Sequence, residues 1–285
     1  MELTLRAGTT ADAQACGDIC FSAFSSVSRA HNFPPDFDAP ETARGLMTMI
    51  LSNPEVHSVI AESRGKIVGS NFLWEWQPIA GIGPITVAPE AQNSSVGRRL
   101  MENALNRATA KQQAGVRLVQ AAFHNRSLSL YTKLGFQVRE PLATLHGPPI
   151  ARKTKGFPVR PAKHGDLVNC DQLCRSVHGH SRSAELQDAI RRKTATVVER
   201  DGRISGYATL IAFFGHAVAE TDDDLIALIA AAPSISLPGF LVPTRNTRVF
   251  RWCLQNGFRV TQPMTLMSLG LYNEPTGAFL PSILY

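Results

Sequence analysis

Residues 82–100 read Ile82-Gly-Pro-Ile-Thr-Val-Ala-Pro-Glu-Ala-Gln-Asn-Ser-Ser-Val-Gly-Arg-Arg-Leu100. An apolar strand, Ile82 to Val87, runs toward Pro89. A polar loop, Gln92-Asn93-Ser94-Ser95-Val96-Gly97, then opens a helix that begins with Arg98-Arg99. The first N–H groups of a helix have no partner within it and lie at the positive end of its dipole, so they favour a bound anion. Small residues let a phosphate approach the backbone, and two arginines add charge for it. A capped amphipathic helix with a solvated basic face explains the same residues. The loop alone does not choose.

A second stretch follows, Asn125-Arg-Ser-Leu-Ser-Leu-Tyr131-Thr-Lys-Leu-Gly-Phe136. The order strand, phosphate loop, helix, then strand, Asn, helix, Tyr, Leu-Gly-Phe resembles the GNAT superfamily of acyl-CoA-dependent N-acetyltransferases. The loop matches that family's Q/R-x-x-G-x-G/A pattern through Gln92, Ser95 and Gly97, with Ser95 standing where glycine is usual. The Asn125–Phe136 segment matches without departure. The resemblance covers roughly residues 3–145 with both motifs and 157–270 in outline.

The resemblance implies an α/β fold, a mixed sheet with helices on both faces, and acetyl-CoA as co-substrate without a metal. Backbone groups of Ile85, Thr86 and Val87 are then expected to meet the pantetheine arm and polarise the thioester carbonyl. Gln92, Asn93, Ser94, Ser95, Val96, Gly97 and Arg98 hold the pyrophosphate, Asn125 touches the arm, and Tyr131 stands near the sulfur as general acid. Amine attack on a thioester builds an oxyanion, which needs N–H donors, and releases a thiolate, which a phenol can protonate. The plainer reading of Tyr131 is a core aromatic on an amphipathic helix.

No acid lies on Ile82–Val87, so the general base is not evident. Glu75, between Trp74 and Trp76, is the nearest carboxylate; a bound water or the terminal carboxylate of Tyr285 are the alternatives. The tail Asn273–Tyr285 stays apolar to its last residue. It is expected to pack against the first half of the chain or across the cleft between halves, as a catalytic terminus or as a closing strand.

The halves repeat. Residues 5–20 align with 159–174 at an offset of 154, matching Arg6 to Arg160, Asp12 to Asp166, Cys16 to Cys170 and Cys20 to Cys174. Glu62–Gly69 aligns with Glu199–Gly206 and Leu134–Val138 with Asn256–Val260, in the same order, while the offset falls to 122. Two domains follow, 1–150 binding cofactor and 151–285 a degenerate copy with the tail, joined by a Gly-, Pro- and Lys-rich linker near 147–158. Where the second copy needs a phosphate loop it has Asp222-Asp223-Asp224, and Cys253 replaces Tyr131. Three carboxylates repel a pyrophosphate, so this copy is expected to shape the acceptor pocket or the fold.

Other elements are local. Thr9 and Asp12 form a capping box, and Cys16, Ile19, Cys20, Ala23 and Phe24 make one helical stripe. Cysteines in that stripe read as core thiols. Hairpin strands are expected at His57–Ala61 and Ile67–Trp74, a helix at Val96–Ala110, a strand at Val116–Phe123 and a helix at Ser127–Lys133.

The 285 residues suffice for about two domains. Hydrophobic residues at 44% exclude a disordered chain. No apolar run approaches the ~20 residues of a membrane span, the N-terminus has no signal-peptide pattern, and five cysteines without a CxxC pair suggest a reduced, cytoplasmic setting. The charge of +6 suits an anionic ligand, and no nucleic-acid motif accompanies it. The expected activity is acetyl transfer from acetyl-CoA to a small-molecule or peptide amine in a ternary complex. A non-catalytic acyl-CoA sensor is the alternative, and the oligomeric state is open, a homodimer included. The segment 25–55, with Phe33-Pro-Pro-Asp-Phe-Asp38, supplies the expected acceptor wall.

Overall fold

The computed structural model describes residues 3–284. The first copy runs β1 (Thr4–Ala7), α1 (Ala13–Ala30), α2 (Pro40–Leu51), β2 (Val56–Ser63), β3 (Lys66–Trp74), β4 (Ile79–Ile82), β5 (Thr86–Val87), α3 (Val96–Ala110), β6 (Gly115–Ala121), α4 (Asn125–Lys133) and β7 (Gln137–His146). The second repeats that order, with the single strand β11 in place of β4 and β5, as β8 (Val159–Pro161), α5 (Leu167–His178), α6 (Ser183–Arg191), β9 (Thr196–Arg200), β10 (Arg203–Ala208), β11 (Ala217–Ala219), α7 (Asp222–Ala231), β12 (Phe240–Pro243), α8 (Thr247–Gln255) and β13 (Arg259–Gly270). One strand, β14 (Ala278–Leu280), is added after it. The fold is mixed α/β, two tandem copies of one element order.

α3 occupies the residues its periodicity assigns. α2, which the repeat analysis does not isolate, starts at Pro40, where a missing N–H costs nothing, and buries Ala43, Met47 and Ile50. All five cysteines are buried and free. Burial pushes the Cys16 thiol up to about 11, which fits core packing. One element differs from its reading: the apolar run 82–87 is not a single strand. β4 ends at Ile82, and only Thr86–Val87 resumes pairing.

The chain forms two compact units. The first runs to Gln137 and takes in Ser268–Leu271; the second is Val138–Met267 with the chain from Tyr272 on. In the first, the strand order is β1-β2-β3-β4-β6, with β5 on β3. Residues of the Ser268–Leu271 segment close this sheet, the Leu271 N–H donating to Ala114 O at 2.9 Å. In the second, β13, β7 and β12 are neighbours, and a separate sheet is ordered β14-β11-β10-β9-β8. Each copy's last strand thus leaves its own copy: β7 pairs with β12 from Phe240↔Leu145 to Pro243↔Leu142. The compact division therefore falls elsewhere than a cut at 150/151. A repeat alignment reports element order, not strand partners.

Both copies carry the same ionic staple, which explains the aligned Arg and Asp. Arg6 donates to Asp12 at 2.8 and 2.7 Å and to Glu62 at 2.8 Å. Arg160 does the same to Asp166 at 2.7 and 3.0 Å and to Glu199 at 2.8 Å. The Arg6 hydrogen bonds pull the Asp12 carboxyl down to about 2. A depressed carboxyl stabilises the fold above its ordinary range, and that contribution fades as pH falls toward its folded value. Arg6→Leu is therefore expected to lower the urea midpoint at pH 7, with the gap to wild type narrowing steadily from pH 5 to pH 3. A gap independent of pH would assign the loss to packing instead.

The tail is packed, but not where its apolar sequence suggests. β14 is the edge strand of the second unit's own sheet, antiparallel to β11 from Ala217↔Leu280 to Ala219↔Ala278. Beyond it Ser282 and Leu284 are buried, and the Ile283 N–H donates to Phe213 O at 2.8 Å. An edge strand accepts a further strand wherever its N–H and C=O groups are unpaired, and β11 offers that edge. Phe279→Ala is expected to destabilise the chain by about 3–5 kcal/mol, the usual cost of emptying a buried phenylalanine site, read as a fall in Tm. The Tyr285 carboxylate lies outside the described residues.

Candidate functional site

The loop after β5 and the start of α4 meet beside the place where the first copy's sheet opens. β4 pairs in parallel with β6 only from Ile79↔Gly115 to Gly81↔Arg117. Beyond that the chain turns at Gly83-Pro84, and β5 pairs on one side alone, with β3, through Gly69↔Val87 and Ser70↔Thr86. β5 and β6 thus splay, and the Ile85–Val87 backbone faces a gap on its β6 side. The turn is held from behind: the Trp74 indole N–H donates to Gly83 O at 2.9 Å. Thr86 is buried, its hydroxyl 3.1 Å from that of Ser70. Trp74 is therefore a packing residue that shapes the gap, with Trp76 beside it at 5.3 Å between rings.

The loop above the gap is pinned at both ends. Ala91 and Val96 are buried in the core cluster with Val59, Ala61, Ala88 and Leu100. Between them Asn93, Ser94 and Ser95 are exposed. The Gln92 amide donates to Val87 O at 3.3 Å, and the Ser94 hydroxyl donates to Ala91 O. Asn93 and Ser95 both adopt left-handed backbone, φ 64° and 66°. That is why glycine suits position 95. A serine there is strained by roughly 1–2 kcal/mol, partly offset by the entropy glycine would lose on folding. Ser95→Gly is expected to raise stability by a few tenths to about 1 kcal/mol, and a lower urea midpoint would instead show the hydroxyl holding the loop.

Gly97 needs no such freedom, because a Cβ there would meet Leu130 and Val87 at an ordinary 3.6 and 3.7 Å. The protein's own packing does not demand a glycine at this point. A group lying on the backbone would. The N–H groups of Val96, Gly97 and Arg98, in the first turn of α3, lack carbonyl partners within the helix, so the cradle fits an anion. The two arginines divide: Arg98 is exposed and pairs with Glu102 at 3.2 Å, while Arg99 donates to Leu3 O at 2.9 Å.

A third arginine was not singled out by the motif. Arg126, one residue past Asn125 at the start of α4, donates to Gln92 Oε1 at 2.8 Å and Asn93 Oδ1 at 3.2 Å. It ties α4 to the loop and brings a cation there. Asn125 itself is exposed. Tyr131 lies on the buried side of α4, its ring 6.2 Å from that of Phe136. Burial pushes its phenol well up, so it carries a proton throughout the neutral range. Near the end of β6, Phe123 stacks on Phe33 at 4.1 Å and lies 5.3 Å from His31. The expected 25–55 wall therefore reaches the site through these two residues.

Glu75 is placed differently. It follows β3 and is held by the far end of α3, where Arg107 hydrogen-bonds both carboxylate oxygens, one at 3.1 Å, and Lys111 lies 3.8 Å away. Arg107 holds its carboxyl below the usual range. Eleven residues of helix separate Arg107 from the loop end of α3, roughly 16 Å at 1.5 Å per residue. This is the geometry of a structural ion pair. A carboxylate so engaged is a poor proton acceptor, and sequence distance hid the partners.

In the second copy the equivalent place is filled. Asp224 is buried, accepting from Ser205 at 2.6 Å and from the Thr221 hydroxyl at 2.6 Å in a capping box at the start of α7. Asp222 accepts from Asn246 Nδ2 at 2.8 Å, and Asp223 pairs with Arg248. Carboxylates thus complement the helix dipole where a phosphate would sit. Beside them the gap that β11 and β12 would frame holds β14, paired to β11 and packed against β12.

Among the described residues, no helix is long and apolar enough to cross a membrane, and no group of three or more His, Cys, Asp or Glu could hold a metal.

Comparison with known proteins matches part of the sequence and the fold. The Acetyltransferase (GNAT) domain family matches residues 54–138, which span the gap, the loop and Tyr131. No curated protein matches the sequence. Among solved structures, a candidate acetyltransferase from Pyrococcus horikoshii superposes with a TM-score of 0.72 at 16% identity, covering 96% of this chain and 91% of its own. A GCN5-related N-acetyltransferase from Sphaerobacter thermophilus gives 0.63 at 16% identity, covering 95% and 96%. A tandem GNAT protein from the clavulanic acid biosynthesis pathway gives 0.54 at 12%, covering 94% and 98%. At these identities the likeness is one of fold.

Proposed function

The chain carries a GNAT acetyltransferase domain within a tandem GNAT fold, and from that premise we propose that it moves an acetyl group from acetyl-CoA to an amine by direct attack in a ternary complex. The acetylating domain is residues 1–150, and residues 151–285 bind no cofactor. Acetyl-CoA supplies the acetyl group in thioester-activated form. The observation that carries the reading is the open gap between β5 and β6 beneath a loop pinned at Ala91 and Val96.

Each residue then has a task. The backbone of Ile85, Thr86 and Val87 lies along the gap, where its free side can hold an extended arm and donate to a carbonyl as charge develops on it. Gln92, Asn93, Ser94, Ser95, Val96, Gly97 and Arg98 hold the pyrophosphate through first-turn N–H groups and small side chains. Arg126 adds charge there and fixes the loop through Gln92 and Asn93. Asn125 meets the arm from the start of α4. Tyr131, protonated and shielded, gives its proton to the departing sulfur.

The acceptor is a small-molecule or peptide amine. A mass-spectrometric screen of amines with acetyl-CoA, read by thiol release, is the test. One or more acetylated products are expected. Acetyl-CoA binding without product from any amine would contradict the reading and favour a sensor.

A further inference from the structure

We propose that His124 is the proton acceptor for the attacking amine, a role that rests on the acetyl-transfer reading above. Glu75 is committed to Arg107 and Lys111, so the site lacks an obvious base. His124 lies three residues past β6, in the cap position of α4, directly before Asn125. Two residues on, Arg126 hydrogen-bonds Gln92 and Asn93 of the loop, and the Gln92 side-chain amide reaches Val87 O on β5.

The ring nitrogen is the decisive feature. His124 Nε2 is buried and has no hydrogen-bond partner. Buried polar atoms are almost always paired, so an orphan of this kind calls for a partner brought by something bound. With its proton on Nδ1 the neutral ring presents a lone pair at Nε2, which is matched by an N–H, and an acceptor amine carries one. Two other histidines of this copy are otherwise engaged: His31 Nδ1 lies 2.9 Å from Val27 O, and His57 Nε2 lies 3.2 Å from Asn103 Oδ1.

The surroundings keep the ring neutral. Burial lowers its proton affinity first, and the charges of Arg126 on α4 and His31 at the end of α1 push the same way. The stacked Phe33 and Phe123 wall this corner against water. In the step, Nε2 of His124 takes the amine N–H proton as the amine nitrogen bonds to the acetyl carbon. Tyr131 gives its phenol proton to the sulfur as the carbon–sulfur bond breaks. Exchange with solvent then returns a proton from His124 and restores Tyr131.

The test compares wild type with His124→Gln, which keeps a polar side chain of similar size but cannot titrate. Acetyl-CoA affinity is measured by calorimetry, and thiol release with 2-phenylethylamine, chosen for the Phe33–Phe123 wall, and with the amines of the screen. Titration of the His124 ring is followed by NMR in the free wild-type chain. The variant is expected to keep acetyl-CoA affinity within about threefold and to lose roughly 10²–10⁴-fold in turnover. The wild-type ring should titrate below the ordinary histidine range, and kcat/KM should fall as pH drops through the ring's own titration, a limb the variant lacks. Wild-type turnover in the variant overturns the proposal. So does a loss of affinity equal to the loss of turnover, which makes His124 a cofactor contact, and so does a ring whose titration does not coincide with the kcat/KM limb. If the variant fails to fold, the wild-type ring titration and pH limb decide alone. A wild type that binds acetyl-CoA but acetylates no amine overturns the acetyl-transfer reading itself; a wild type that turns over beside an equally active variant overturns only the role of His124.

Discussion

Tyr131→Phe is expected to lower turnover by roughly 10²–10⁴-fold while leaving acetyl-CoA affinity and thermal stability near wild type. The side chain is buried on α4, and its ring packs near Phe136. Phenylalanine preserves that ring, so only the hydroxyl is lost. Burial raises the phenol's hold on its proton, which keeps the group charged with a proton at neutral pH. Donation to a leaving thiolate is a contact of the transition state rather than of the bound ground state, so it moves turnover and not affinity. Burst kinetics with the best amine of the screen check this. Wild-type turnover in the variant makes Tyr131 a packing residue and sends the proton's source elsewhere.

Gly97→Glu should abolish acetyl-CoA binding without unfolding the chain. The site tolerates a Cβ, with Leu130 and Val87 at 3.6 and 3.7 Å, so the backbone need not move. A glutamate carries its charge and length into the cradle at the start of α3, where a second anion must go. Gly97→Ala separates the two effects: it should fold like wild type and weaken binding only through the extra methyl. Equal binding by wild type and Gly97→Glu would move the pyrophosphate site away from this loop.

Much of the first copy was legible because its signals are local. The Val96–Ala110 helix follows from a loop, a cap and a 3.6-residue stripe within one window. The core cysteines follow from a stripe of the same period at Cys16–Phe24, and the repeat itself from short matched segments. What escaped the sequence is long-range. Continuous apolarity from Ile82 to Val87 hides the break at Gly83-Pro84, because both halves are buried or half-buried and both pair with β3. Glu75 looks free until α3 folds Arg107 against it, 32 residues away. Arg126 reaches Gln92 across 34 residues. The tail's apolarity announced burial but could not say which edge it would cover; β11 offered one. The acidic run where the second copy would need a phosphate loop is a local feature, since Asp222–Asp224 are adjacent in sequence and need no fold to be read as repelling a phosphate.

Those carboxylates and β14 together carry the central claim that one chain holds one cofactor site. Calorimetric titration of the full chain with acetyl-CoA tests it most directly. One site per chain, lost in Gly97→Glu, is the expected result. Two equivalent sites per chain, or a single site that survives Gly97→Glu, would contradict it.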